Sequence, residues 1–191
     1  MRRSNELCHS VCRIWGLAAV ALLLVGADDP KQTVDAGGLK FEAPKSWKLS
    51  PPPGGGMRRA QLKVEPIEGD DYPAELVVFA FGGGAGSVDD NLKRWQGLFK
   101  DKDGNPPSID SKKVKGKNIE MTRAETHGDY HPARFPGRPV DPDRPNARLL
   151  GAIIMADGTS YYVRMIGPDK TMIKLRPVFD ELLSSIQLEQ K

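Results

Sequence analysis

Cysteine is nearly missing from this chain. Its two copies, Cys8 and Cys12, both precede an apolar run at residues 14–25 that ends in Val25-Gly26-Ala27, small residues of the kind a signal peptidase reads. Cleavage after Ala27 leaves 164 of the 191 residues and no cysteine at all. A disulfide framework, a thiol nucleophile and a thiolate zinc site are thereby excluded from the mature chain, and neither cysteine is placed to carry a lipid after cleavage. Histidine is scarce too: of three, only His127 and His131 follow the leader. No G-x-S-x-G is present to suggest a serine hydrolase. The glycines at 82–86 lack the Lys-Ser/Thr of a phosphate loop, and Asp89-Asp90 behind them would repel an anion. The apolar run itself is twelve residues, whereas crossing a bilayer as a helix takes about 20. No stable membrane span is therefore expected once the leader is gone; the Arg2-Arg3 pair invites a twin-arginine reading but lacks that motif's apolar sequel, so general secretion is the expected route. Strong charge of one sign is absent as well. The leader holds three of the 28 basic and one of the 25 acidic residues, so the formal +3 falls to 25 against 24, or +1. Such a balance gives no reason to expect nucleic acid as a partner.

What is there is a regular alternation of strand and turn with two helices. The polar residues 28–37 read as a disordered linker, and residues 38–191 as a single domain, a length at which one core suffices. Residues 38–42 alternate as a strand, stop at Ala43-Pro44, and resume at Trp47-Lys48-Leu49. Ala60, Leu62 and Val64 mark one face of a half-exposed strand. Residues 75–81 form a near-continuous apolar and aromatic run, the pattern of a strand buried on both faces. Ser87 then caps an amphipathic helix with Val88, Leu92, Trp95 and Phe99 on one stripe, Asp89 and Asp90 in the first turn and Lys100 in the last. One further strand is expected around Ile119 and Met121. Residues 149–155 and 160–166, joined by Ala156-Asp157-Gly158, predict a hairpin. Residues 169–186 carry Val178, Phe179, Leu182, Leu183 and Ile186 at helical spacing, with Pro177 predicted to kink this helix or to start a second one.

The opening strand with its Ala43-Pro44-Lys45-Ser46-Trp47 sequel, the 75–81 strand, the hairpin, and Tyr161-Tyr162-Val163-Arg164-Met165-Ile166-Gly167-Pro168 leading to residues 179–186 resemble the PsbP-like fold. Extrinsic photosystem II subunits, a Ran-binding nuclear import factor and many exported bacterial proteins share that fold. The resemblance implies an α+β chain, with an antiparallel sheet of about six strands sandwiched between helices. It brings no catalytic residues, because fold alone does not confer function.

Two local features carry candidate chemistry. His127, Asp129 and His131 place two imidazoles and a carboxylate within five residues, ligand types that suit zinc or another divalent cation. Asp101-Lys102-Asp103-Gly104-Asn105 resembles a calcium loop but has Lys112 where a bidentate glutamate is required, so it reads as a turn. The lysines at 112, 113, 115 and 117 fit a solvated edge strand. The second feature is the segment 129–146, with five prolines and a set of arginines and aromatics, among them Tyr130, Arg134, Phe135 and Arg138. Loops of that length are uncommon without a role, and arginine with exposed aromatics is the composition of protein contact sites. The expectation is an exported, periplasmic or extracellular, non-catalytic binding or assembly module that meets a protein partner in the cell envelope and carries no cofactor. A divalent-metal-binding protein is the alternative.

Overall fold

The computed structural model describes residues 29–51, 56–134, 141–156 and 158–189. The strands are β1 Lys31–Asp35, β2 Leu39–Pro44, β3 Lys48–Ser50, β4 Arg58–Val64, β5 Ala74–Gly82, β6 Phe99–Lys100, β7 Asp110–Lys115, β8 Glu120–Tyr130, β9 Arg144–Ala156, β10 Thr159–Pro168 and β11 Gln187–Leu188. The helices are α1 Val88–Gln96 and α2 Asp169–Ser185. An antiparallel sheet runs β3-β4-β5-β10-β9-β8, and the outer side of β8 is shared by β7 along its first half and β6 at its end. A second sheet, β1-β2-β11, is separate. The sheet is thus larger than the six strands expected.

Alternation along the central strands decides which layer each side chain enters. On β10, Tyr161, Val163 and Met165 join a core with Leu76, Val78, Leu150 and Ile154, which α2 closes with Met172, Phe179 and Leu183. The intervening Tyr162 and Ile166 face the other way, into a cluster with Leu149, Ile153, Phe99 and Trp95 of α1. A period of two thus gives each face of one sheet its own helix. The expected double burial of β5 holds for Val77 and Val78, and the predicted hairpin is β9–β10, paired from Ala156 and Thr159 back to Ala147 and Pro168.

α1 begins as its sequence requires. The Ser87 hydroxyl accepts from the Asp90 amide, the Asp90 carboxylate accepts from the Ser87 amide, and acids occupy the first turn. Ser87→Ala is expected to cost about 1 kcal/mol in chemical denaturation. An unchanged midpoint would show that the cap contributes nothing.

Several boundaries differ from expectation. The polar linker of 28–37 holds a strand: β1 pairs with β2, buries Val34, and its Gln32 amide donates to the carbonyls of Pro44 and Trp47. Trp47-Lys48-Leu49 does not resume β2, since a turn closed by the Trp47 amide on the Pro44 carbonyl moves the chain from the small sheet to the large one. α1 stops at Gln96, capped by Gly97, and Phe99 reaches the same apolar cluster from β6. The single strand around Ile119 and Met121 is a hairpin, β7–β8, whose turn is tied by the Gly116 amide to the Ile119 carbonyl. Pro177 lies inside one continuous α2; it and Ile173, whose carbonyl loses its i+4 partner, are both exposed, so water can serve that group.

Candidate binding groove

α1 is nine residues long and lies across one half of its sheet face. Its seat is Gly151 on β9, where an added Cβ would stand 2.3 Å from Trp95 Cζ3. Asn91, 1% exposed, ties the helix start to the sheet. Its amide donates to the carbonyls of Ala85 and Ser87 and to the Tyr162 hydroxyl, and its oxygen accepts from Arg94 Nη1 at 2.9 Å. Arg94 is thereby held at the helix margin that borders the uncovered half of the sheet.

That half carries an open groove of about 340 Å³. Its floor is aromatic: Phe79 and Phe81 of β5, Tyr162 of β10 and Trp95 of α1. The Phe81 and Tyr162 rings meet edge to face at 5.4 Å, and Trp95 meets Tyr162 similarly at 6.4 Å, geometries that fix the ring positions. Residues leaving β8 (Pro132, Ala133) and entering β9 (Asp141) form a side wall.

The groove holds three arginines. Arg58 of β4 stands directly across the ladder from Phe79, with its Cζ 5.7 Å from that ring's centroid. Arg164 of β10 approaches the same ring to 5.5 Å. Among the described residues no carboxylate lies within 4.0 Å of the guanidinium nitrogens of Arg58, Arg94 or Arg164. Arg58 Nη1 donates to Gln61 Oε1 at 2.7 Å, whereas Arg164 has no hydrogen-bond partner among the described residues. Guanidinium stacking on an aromatic face occupies the plane of the group and leaves its in-plane N–H donors available.

Three other arginines, Arg123, Arg148 and Arg176, are committed to the opposite face. Glu125 on β8 accepts from Arg123 Nη1 and Nη2 at 3.1 Å, from Arg176 Nε at 3.2 Å, and from Arg148 Nη1. Arg123 also bonds Asp180 at 2.6 Å, and Arg148 bonds Asp169 at 2.8 Å. Burial alone would raise the Glu125 carboxyl; the hydrogen bonds from Arg176, Arg148 and Arg123 outweigh it and hold the group below the usual carboxylate range. Three cations and three carboxylates balance here, clamping α2 to β8 and β9.

The residues singled out in the sequence are arranged differently from expectation. His127 is exposed on β8; Asp129 accepts from the Asn146 amide at 2.9 Å; His131 sets its Nδ1 3.3 Å from Asp143. Among the described residues no three or more His, Cys, Asp or Glu are grouped to hold a metal ion. Tyr130 is 3% exposed, packed 5.3 Å from the Phe99 ring, so it contributes wall rather than a free contact surface; burial raises its hydroxyl pKa. Arg134 is exposed and bonds Asp143 at 3.0 Å. Phe135, Arg138 and the whole leader lie outside the described residues. Sequence reading missed Arg58, Arg94 and Arg164. One signal was present: Arg164 is a lone charge inside the apolar run 161–166, where a strand buried on both faces should have none.

Among the described residues no helix is long and apolar enough to cross a membrane. No family profile matches the chain, and no curated protein matches it in sequence. Solved structures are similar. The solution structure of cyanobacterial PsbP (CyanoP) from Synechocystis sp. PCC 6803 matches over 86% of this chain and 95% of its own, at 15% identity and a TM-score of 0.52. LpqN of Mycobacterium tuberculosis, described as involved in cell envelope biogenesis, matches over 85% of this chain and 87% of its own, at 14% identity and 0.49. PA94, a protein of unknown function from Pseudomonas aeruginosa, covers 84% of this chain with 99% of its own, at 9% identity and 0.46. At such identities the likeness speaks for architecture alone. Together with the antiparallel sheet and its two helices, the CyanoP match gives this chain the PsbP-like fold.

Proposed function

We propose that the chain is an exported, non-catalytic binding module, with residues 1–27 as leader, a single domain following it, and the groove beside α1 as its recognition site. One observation carries this reading: an aromatic-floored concavity is bordered by three arginines without carboxylate partners among the described residues. Groups that desolvate a charge normally neutralise it locally, as Glu125 does for the arginines under α2. Arginines left free beside apolar surface suit a ligand that supplies the missing charge. The lining offers ring faces and guanidinium donors, which hold a ligand by contact.

The test records amide, Trp95 indole and arginine Nε–H signals by NMR while small-molecule and protein fractions of an envelope extract are added. The expected result is a set of shifts concentrated on Trp95, Arg58, Arg94 and Arg164. Shifts absent from these residues with both fractions overturn the groove as recognition site. Intact mass of the protein made in its own cells tests export: a chain beginning at Asp28 is expected, and a mature chain retaining Met1 sinks the leader.

A further inference from the structure

Resting on the groove as recognition site, we propose that its ligand is a small organic monoanion: one carboxylate carried on an aromatic or compact apolar body. The volume of about 340 Å³ sits at the lower end of the 300–1,000 Å³ typical of small-molecule sites, room for a ring and a short side chain. Its floor is built from ring faces and edges of Phe79, Phe81 and Tyr162, against which such a body is desolvated. The backbone of the aromatic floor belongs to β5 and β10, each paired on both sides there, so a partner's strand cannot be added to the floor by main-chain hydrogen bonds. Recognition falls to side chains.

The charge pattern sets the anion. Arg58 and Arg164 converge on one ring, Phe79, and both are anchored there by cation–π contact instead of an ion pair. Arg164 is the principal anchor, because all its in-plane donors are without a partner among the described residues, while Arg58 and Arg94 each spend one on Gln61 and Asn91. A guanidinium fork matches the two oxygens of a carboxylate. Asp141 lines the same groove and faces this anion with a charge of its own sign. Arg164 offers the one wholly free guanidinium fork in the lining among the described residues, which matches the two oxygens of one carboxylate, and the phosphate arm of the experiment separates that monoanion from a dianion.

The experiment titrates the protein, as purified from cells, with phenylacetate, its neutral isostere phenylacetamide, acetate and inorganic phosphate, following Trp95 and the arginine Nε–H signals. Charge-assisted hydrogen bonds contribute about 1.5–3 kcal/mol, so phenylacetate is expected to bind at least about tenfold more tightly than phenylacetamide, and acetate and phosphate more weakly than either. R164Q is expected to abolish that preference, R164K to recover part of it, and K112Q on β7, which removes the same charge outside the groove, to leave it intact. Methyl spectra of each variant report folding, and R164K keeps the comparison available where R164Q unfolds. Phenylacetamide binding the same residues as tightly as phenylacetate overturns the anion but leaves the groove as recognition site. Phosphate binding more tightly than phenylacetate overturns the monoanion. No shift at Trp95 or Arg164 with any probe overturns the ligand class; a protein fraction that then moves the same signals assigns the groove to a macromolecule, and extract fractions that leave it unmoved remove the functional reading as well.

Discussion

Replacing Glu125 by alanine is expected to destabilise the protein by about 3 kcal/mol, a large part of the roughly 5–15 kcal/mol that holds a typical domain together. The side chains of Arg123, Glu125 and Arg148 are only 8, 11 and 12% exposed, so the loss cannot be made good by bulk water. Arg123 keeps Asp180 and Arg148 keeps Asp169, which places the cost at the lower end of the about 3–5 kcal/mol seen when one member of a buried charge network is removed. Arg176, at 40% exposure, loses the carboxylate that joins it to the sheet. Glu125→Gln retains an acceptor and is expected to cost less. Urea unfolding of the three proteins checks this, and a change below about 1 kcal/mol for alanine would reduce the network to decoration.

Acid should reveal the same network. In the unfolded chain a glutamate titrates near about 4.3, while in the folded one Glu125 is held lower. The folded state therefore binds fewer protons in that range, and the stability due to Glu125 is fully present above the unfolded value. It is lost as pH falls through the depressed folded value. Wild-type stability should drop on acidification below about pH 4.3 more steeply than that of Glu125→Gln. Parallel acid limbs for the two proteins would contradict the assignment.

The second large effect is expected at Gly151. A β-carbon there would enter the Trp95 ring, 2.3 Å from Cζ3 and 2.9 Å from Cη2, and Trp95 is only 5% exposed. Gly151→Val should cost about 3 kcal/mol by forcing α1 off the sheet, although valine suits a strand better than glycine. Trp95→Ala should cost about 3–5 kcal/mol through the cavity it leaves. In the double variant the penalty of valine should vanish or reverse, since its obstacle is gone. Additive effects in calorimetry or urea would mean that the clash is relieved elsewhere.

How far the fold was legible follows from these residues. The β9–β10 hairpin, β5 and the start of α1 each combine an unbroken local signal with the tertiary outcome. β1 carries one buried apolar residue, Val34, and owes its conformation to pairing with β2, so its own five residues hold no apolar alternation to mark it. The β7–β8 turn was hidden because Gly116-Lys117-Asn118 sits among lysines that resemble a continuous exposed strand. The candidate groove was less legible still. Arg58 and Arg164 are 106 positions apart and meet over Phe79 only because β4 and β10 flank β5 on either side. The histidines drew notice by nearness in sequence, yet neighbours along a strand do not converge: Asp129 and His131 take up different partners.

The small sheet bears on how this chain is made. Its middle strand, β2, is flanked by β1 from the beginning of the described chain and by β11 from its end. During synthesis β2 waits for more than a hundred residues before its second neighbour emerges. Until then one side of its backbone ladder is unpaired and Leu39 and Phe41, both fully buried in the finished protein, lack α2 and β11 as cover. A polypeptide that lacks β11 leaves that edge unpaired, the kind of exposed ladder that invites association with other chains, so the pairing of β11 is the step that closes the small sheet.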